Sequence, residues 1–107
     1  MDPNEAIAKV ETYTTSEVMG ASKQEYRGML VVTQFVDVMD RRTKKDRANQ
    51  IKKCKKDLLW EMQKEAVDLG ANAVVGIKTD DTAVSVGQLK QKQMKLEMYG
   101  TAVYFTR

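Results

Sequence analysis

Sulfur and carboxylate carry whatever metal or acid–base chemistry this chain can do, because its 107 residues include no histidine. Cys54 is the one cysteine. A single chain can therefore form neither a disulfide nor the multi-thiolate or thiolate–imidazole set of a zinc site. Cys54 reads instead as a small packing residue at the edge of a helical stripe, the usual place of a buried free thiol. Met94 and Met98 fall on one face of a strand and could present thioethers to Cu(I). With seven methionines and two phenylalanines, an adaptable core is the better use of them. The paired acids Asp80–Asp81 and Asp37/Asp40 read as solvated turns rather than a hard-cation site. A Ser–His or Cys–His nucleophile cannot be assembled. The glycines of Gly70–Gly76 follow a helix, so they cannot aim a helix N-terminus at phosphate. These absences predict a chain that is not an enzyme, with no catalytic residue and no cofactor of its own.

Charge is the second candidate for function. The net charge is +3, yet Arg41–Lys56 holds nine basic residues and one acid, a local +8 that leaves −5 for the rest. Arg41, Arg42, Lys44, Lys45, Lys52, Lys53, Lys55 and Lys56 form a candidate polyanion-binding segment, for nucleic acid or an acidic partner. No aromatic residue lies among them, so base stacking is not on offer. A lysine-rich helix face is also ordinary solvated surface.

The elements that would position these residues follow from periodicity. Hydrophobic residues are 42% and charged residues 31% of the chain, a globular composition sized for one domain over 1–107. Residues 1–8 read as a loosely ordered lead-in, Lys9–Thr15 as a short strand and Ser16–Ser22 as a turn. Gln24–Val38 reads as a long strand, apolar on both faces. Thr43–Leu69 is helical, with a stripe through Ala48, Ile51, Cys54 or Lys55, Leu58, Met62, Ala66 and Leu69. Thr43–Asp46 resembles a capping box, and Gly70 suits a left-handed cap. Asn72–Asp80 and Gln93–Thr106 are strands, joined by a polar hairpin loop over Asp81–Lys92 that has room for a brief strand at Val84-Ser85-Val86. Gly100 marks a bulge or a close backbone approach.

The predicted order is β-β-α-β-β: an α+β fold with one small sheet and a single long helix that crosses over between parallel strands. One helix covers one face. The long strands are apolar on both, and a large exposed apolar patch is rare on a monomer. Another copy of the chain should therefore bury the second face, or the strand edges, giving a homo-oligomer. The candidate interface residues are Phe35, Trp60, Tyr99, Val103 and Phe105. No apolar run approaches the ~20 residues that span a bilayer, and Met1–Glu5 is unlike a secretory leader. A cytoplasmic chain with no membrane partner is expected.

One stretch is distinctive as a string: Glu65-Ala66-Val67-Asp68-Leu69-Gly70-Ala71-Asn72-Ala73-Val74-Val75-Gly76-Ile77. It resembles the signature A-x-x-L-G-A-N/D-A-V-V-G-I/V of the YbjQ-like family, labelled as heavy-metal-binding proteins. Thr14-Thr15, Glu25-Tyr26-Arg27-Gly28 and Gly100-Thr101-Ala102-Val103 agree with further family pieces in order, so the likeness spans about residues 12–107. The family's glycine-rich loop has no counterpart in Asp37–Lys45. The resemblance implies a dodecin-like subunit core, assembly into a homo-oligomeric ring of five copies and, by label alone, a metal ion. Three functional readings follow: a ring-forming binding or structural module, a scavenger or sensor of metal ions, and a polyanion-binding ring.

Overall fold

The computed structural model describes residues 3–37, 44–86 and 91–107. Its elements are α1 (Pro3–Ala8), β1 (Glu11–Thr12), β2 (Lys23–Asp37), α2 (Lys44–Asp68), β3 (Ala73–Val86) and β4 (Gln91–Thr106). The four strands form one sheet in the order β1-β3-β4-β2. β4 is antiparallel to both its neighbours, and β1 is parallel to β3. β2 and β3 thus run parallel with β4 between them, and α2 makes the crossover. The fold is α+β, with β-β-α-β-β as its main order.

The helix face of the sheet holds the main core. Cys54, Leu58, Met62 and Ala66 of α2 meet Leu30, Val32 and Val36 of β2, Leu96, Met98 and Ala102 of β4, and Val74 of β3. Cys54, not Lys55, takes the contested position in the stripe. Ala48 and Leu69 at its ends are exposed. Gly100 sits on β4 where side chains of β3 and α2 press close to its backbone. A Cβ there would lie 2.5 Å from Val74 Cγ1 and 3.0 Å from Met62 Sδ. Both readings of this glycine hold, since the register shift on β3 also sets two residues, Gly76 and Ile77, opposite Gly100. The irregularities lie on the neighbouring strands, between Tyr26 and Gly28 and between Val75 and Lys78. Each shifts the pleat by one residue, so the parity of inward positions changes along the strand.

The distinctive string at the helix end has a plain mechanical reading. Gly70, at φ +74°, donates to the Val67 carbonyl at 3.0 Å, and Ala71 donates to the Ala66 carbonyl at 2.9 Å. That is a Schellman cap, which needs a left-handed residue at this point. Asn72 then behaves like a strand residue turned sideways. Its Nδ2 donates to the Phe105 carbonyl at 3.0 Å, and its Oδ1 accepts from the Phe105 N–H at 2.9 Å. The side chain thereby carries the pairing to β4 one step past the end of β3.

Three expectations change. The lead-in is helical from Pro3 to Ala8 and buries Ile7 beside α2. The strand expected over Lys9–Thr15 is regular only at Glu11–Thr12, although Tyr13 and Thr15 still exchange backbone bonds with β3. The loop expected over Asp81–Lys92 is mostly strand: β3 continues to Val86 and β4 begins at Gln91. Aspartates are poor strand formers, but ladder pairing with β4 outweighs that weak preference. Thr43, Val38 and Gly87 lie outside the described residues.

Candidate assembly surface and the question of a metal centre

The potential metal ligands are scattered by the fold. Cys54 is buried between helix and sheet. Burial pushes its thiol pKa up, the Asp57 carboxylate adds to this, and Lys53 opposes it. A thiol held protonated in an apolar core is a poor ligand. Met98 is buried in the same core and Met94 packs against it, both as fillers. Asp80 and Asp81 are consecutive on β3 and so point to opposite faces. Asp81 pairs with Lys55 Nζ at 3.4 Å, while Asp80 lies on the rear face beside Glu97. Asp40 lies outside the described residues. Among the described residues no group of three Cys, Asp or Glu gathers as a metal site would require.

The basic segment does not form one patch among the described residues. Lys52, Lys53 and Lys56 are exposed, but only Lys52 and Lys56 share a flank of α2, Lys53 points away from it, and Lys55 is tied to Asp81. Arg41 and Arg42 lie outside the described residues, as do the side chains of Lys44 and Lys45.

The rear face has two parts. At one end the chain roofs its own sheet. Val103 and Phe105 are buried against Val18, Ala73 and Val75, with Tyr13 and Ala21 alongside. These two candidate interface residues are therefore taken up within the chain. The roof is pinned by Arg107, which reaches Glu11 in a two-pronged ion pair at 2.6 and 3.1 Å and stacks over Phe105 at 4.8 Å. Tyr13 donates to Glu11 as well, at 2.6 Å. Glu11 is held below the usual carboxylate range, first by Arg107 and then by Tyr13.

Beyond the roof the rear face is open. Tyr26, Met29, Val31 and Phe35 of β2 form a strip in which each residue is 53–72% exposed. Beside it Tyr99 is half-buried and donates to Glu97, which also pairs with Lys95 at 2.5 Å. Lys95 and then Tyr99 hold the Glu97 carboxyl low, and Glu97 in turn holds the Tyr99 hydroxyl high. β2 is an edge strand, so the apolar strip borders a row of unpaired backbone groups.

The front of that edge is a groove of about 580 Å³ between β2 and α2. Val32, Leu58 and Trp60 line it, and Asp57, Glu61 and Glu65 form its rim. Trp60, 38% exposed, thus faces the β2 edge. Sequence reading singled out Trp60 but not the acids. Their four-residue spacing, which puts them on one flank of a helix, was the available signal.

The YbjQ family model, described as "Putative heavy-metal-binding", matches residues 8–106. The chain belongs to the YbjQ family. Among solved structures, this YbjQ chain is similar to a protein of unknown function of the DUF74 family from Pediococcus pentosaceus ATCC 25745. The identity is 17% and the TM-score 0.69, over 89% of this chain and 96% of that one. That likeness establishes the fold. No curated protein matches the chain. Nor is any helix among the described residues long and apolar enough to cross a membrane.

Proposed function

We propose that this YbjQ chain is a non-enzymatic, self-assembling module whose copies close into a ring, five in number as the family resemblance implies. In that ring the rear faces turn inward and the helices outward. One observation carries the reading: Tyr26, Met29, Val31 and Phe35 stand exposed along an edge strand of 15 residues. Covering each would contribute about 1–2 kcal/mol, given the usual value for a large apolar side chain and their partial exposure. Long apolar edges are also what proteins ordinarily protect from chance pairing, and a fixed partner is one protection.

The family description offers metal binding as the other role. The described residues do not favour it, since the one thiol is buried and no three Cys, Asp or Glu among them gather as a metal site requires. Native mass spectrometry of the full chain tests both readings together. We expect a single oligomer that carries no stoichiometric ion after metal loading and desalting. A monomer would overturn the assembly reading, and a retained, chelator-sensitive ion at one per chain would restore the metal role.

A further inference from the structure

The two flanks of α2 carry opposite charge, and each overhangs a free edge of the sheet. On the β2 side, Asp57, Glu61 and Glu65 rim the groove beside Val31–Gln34. All three are exposed, and among the described residues no ion pair engages them. The opposite flank is fixed by two contacts. Gln63 Nε2 donates to the Val10 carbonyl at 2.9 Å, and Lys55 Nζ stands 3.4 Å from Asp81 of β3. At 3.6 residues per turn, Lys56 and Lys52 lie about two and three turns back from Gln63 on this same side, and both are exposed. Beneath them the outer edge of β3 is open. The bonds from the N-terminal segment end at Ile77, which donates to the Tyr13 carbonyl at 3.1 Å, and from Lys78 to Val86 no described residue pairs with that edge.

We propose that these two edges mate between copies, head to tail. β2 of one copy pairs with Lys78–Val86 of the next, and Asp57, Glu61 and Glu65 of the first face Lys52 and Lys56 of the second. This inference rests on the self-assembly reading above and names its contact. β2 and β3 run parallel within a chain. Rotation about an axis along the strands therefore brings them together in parallel, with every helix on one side and every apolar strip on the other. Pairing two β2 edges would instead set three carboxylates against three, and pairing two β3 edges would set lysines against lysines. Like charges across a contact select against both. A contact between two different surfaces propagates from copy to copy and closes into a ring when the rotation allows.

The test is charge exchange in the full chain, read by light scattering and native mass spectrometry across a dilution series. Glu61→Lys with Glu65→Lys should raise the half-dissociation concentration at least about tenfold, as should Lys52→Glu with Lys56→Glu. All four substitutions together should recover most of the parent's affinity. If neither double variant dissociates while Phe35→Asp does, self-assembly stands and this pairing is overturned. Weakening without recovery in the fourfold exchange also overturns it, and a monomeric parent overturns both readings. If the lysine variant assembles normally but loses binding to heparin, the flank serves polyanions and the pairing is wrong. Carbodiimide cross-linking of a mixture of isotope-labelled and unlabelled parent gives a second measurement that needs no variant. Joined peptides between Glu61 or Glu65 of one copy and Lys52 or Lys56 of another are expected, and links confined within single chains contradict the proposal.

Discussion

Asn72 stands where α2 hands over to β3, and its two hydrogen bonds to Phe105 replace a backbone pair that the turn cannot supply. Asn72→Ala would leave the Phe105 N–H and carbonyl short of partners in a half-covered site. We expect a loss of about 1–3 kcal/mol, measured by denaturant unfolding. At Gly100 the added methyl of Gly100→Ala would meet Val74 and Met62, and overpacking there should cost about 1–3 kcal/mol. An unchanged unfolding midpoint in either variant would contradict these assignments. At Gly100 the sequence offered a bulge or a close approach, the two uses of a glycine inside an apolar strand, and the structure has both, with the β3 register shift opposite it and Val74 against it. Asn72 was legible only as a letter in a family string, since its partner lies 33 positions away in sequence. Cys54 and Lys55 could not be separated by periodicity, as both fall within the broad inward arc of a helix. Packing against the sheet decides for the thiol.

At the scale of elements, the carboxylates on β1 and β4 make stability depend on acid. Glu11 and Glu97 are both held lower in the folded chain than in the unfolded one, by Arg107 and Lys95 respectively. Their contribution is therefore in place at neutral pH and is lost as pH falls through their depressed range. Arg107→Ala and Lys95→Ala should each lower stability at neutral pH and flatten the decline toward about pH 3, below the usual carboxylate range. Denaturant midpoints measured across that range check this, and a variant as acid-sensitive as the parent would contradict it. The long helix and β2 were readable because their periods run unbroken for many residues. α1 was not, since six residues give too little periodicity to see. The far half of β3 was also hidden. The polar run from Asp81 onward looks like a loop, and only its ladder with β4 carries the strand on to Val86.

For the whole molecule, the cover that two-sided strands demand comes partly from the chain itself. Residues 13–21 roof Val103 and Phe105, and no local pattern announced this because it joins the start of the chain to its end. What remains uncovered is the β2 strip, and self-assembly now rests on it. Phe35→Asp, on a side chain 56% exposed in the single chain, should leave the fold intact by circular dichroism while shifting the protein toward smaller species. The most direct measurement is the native mass of the parent chain at low micromolar concentration. Self-assembly predicts one closed multiple of the subunit mass. A stable single subunit at that concentration would contradict it.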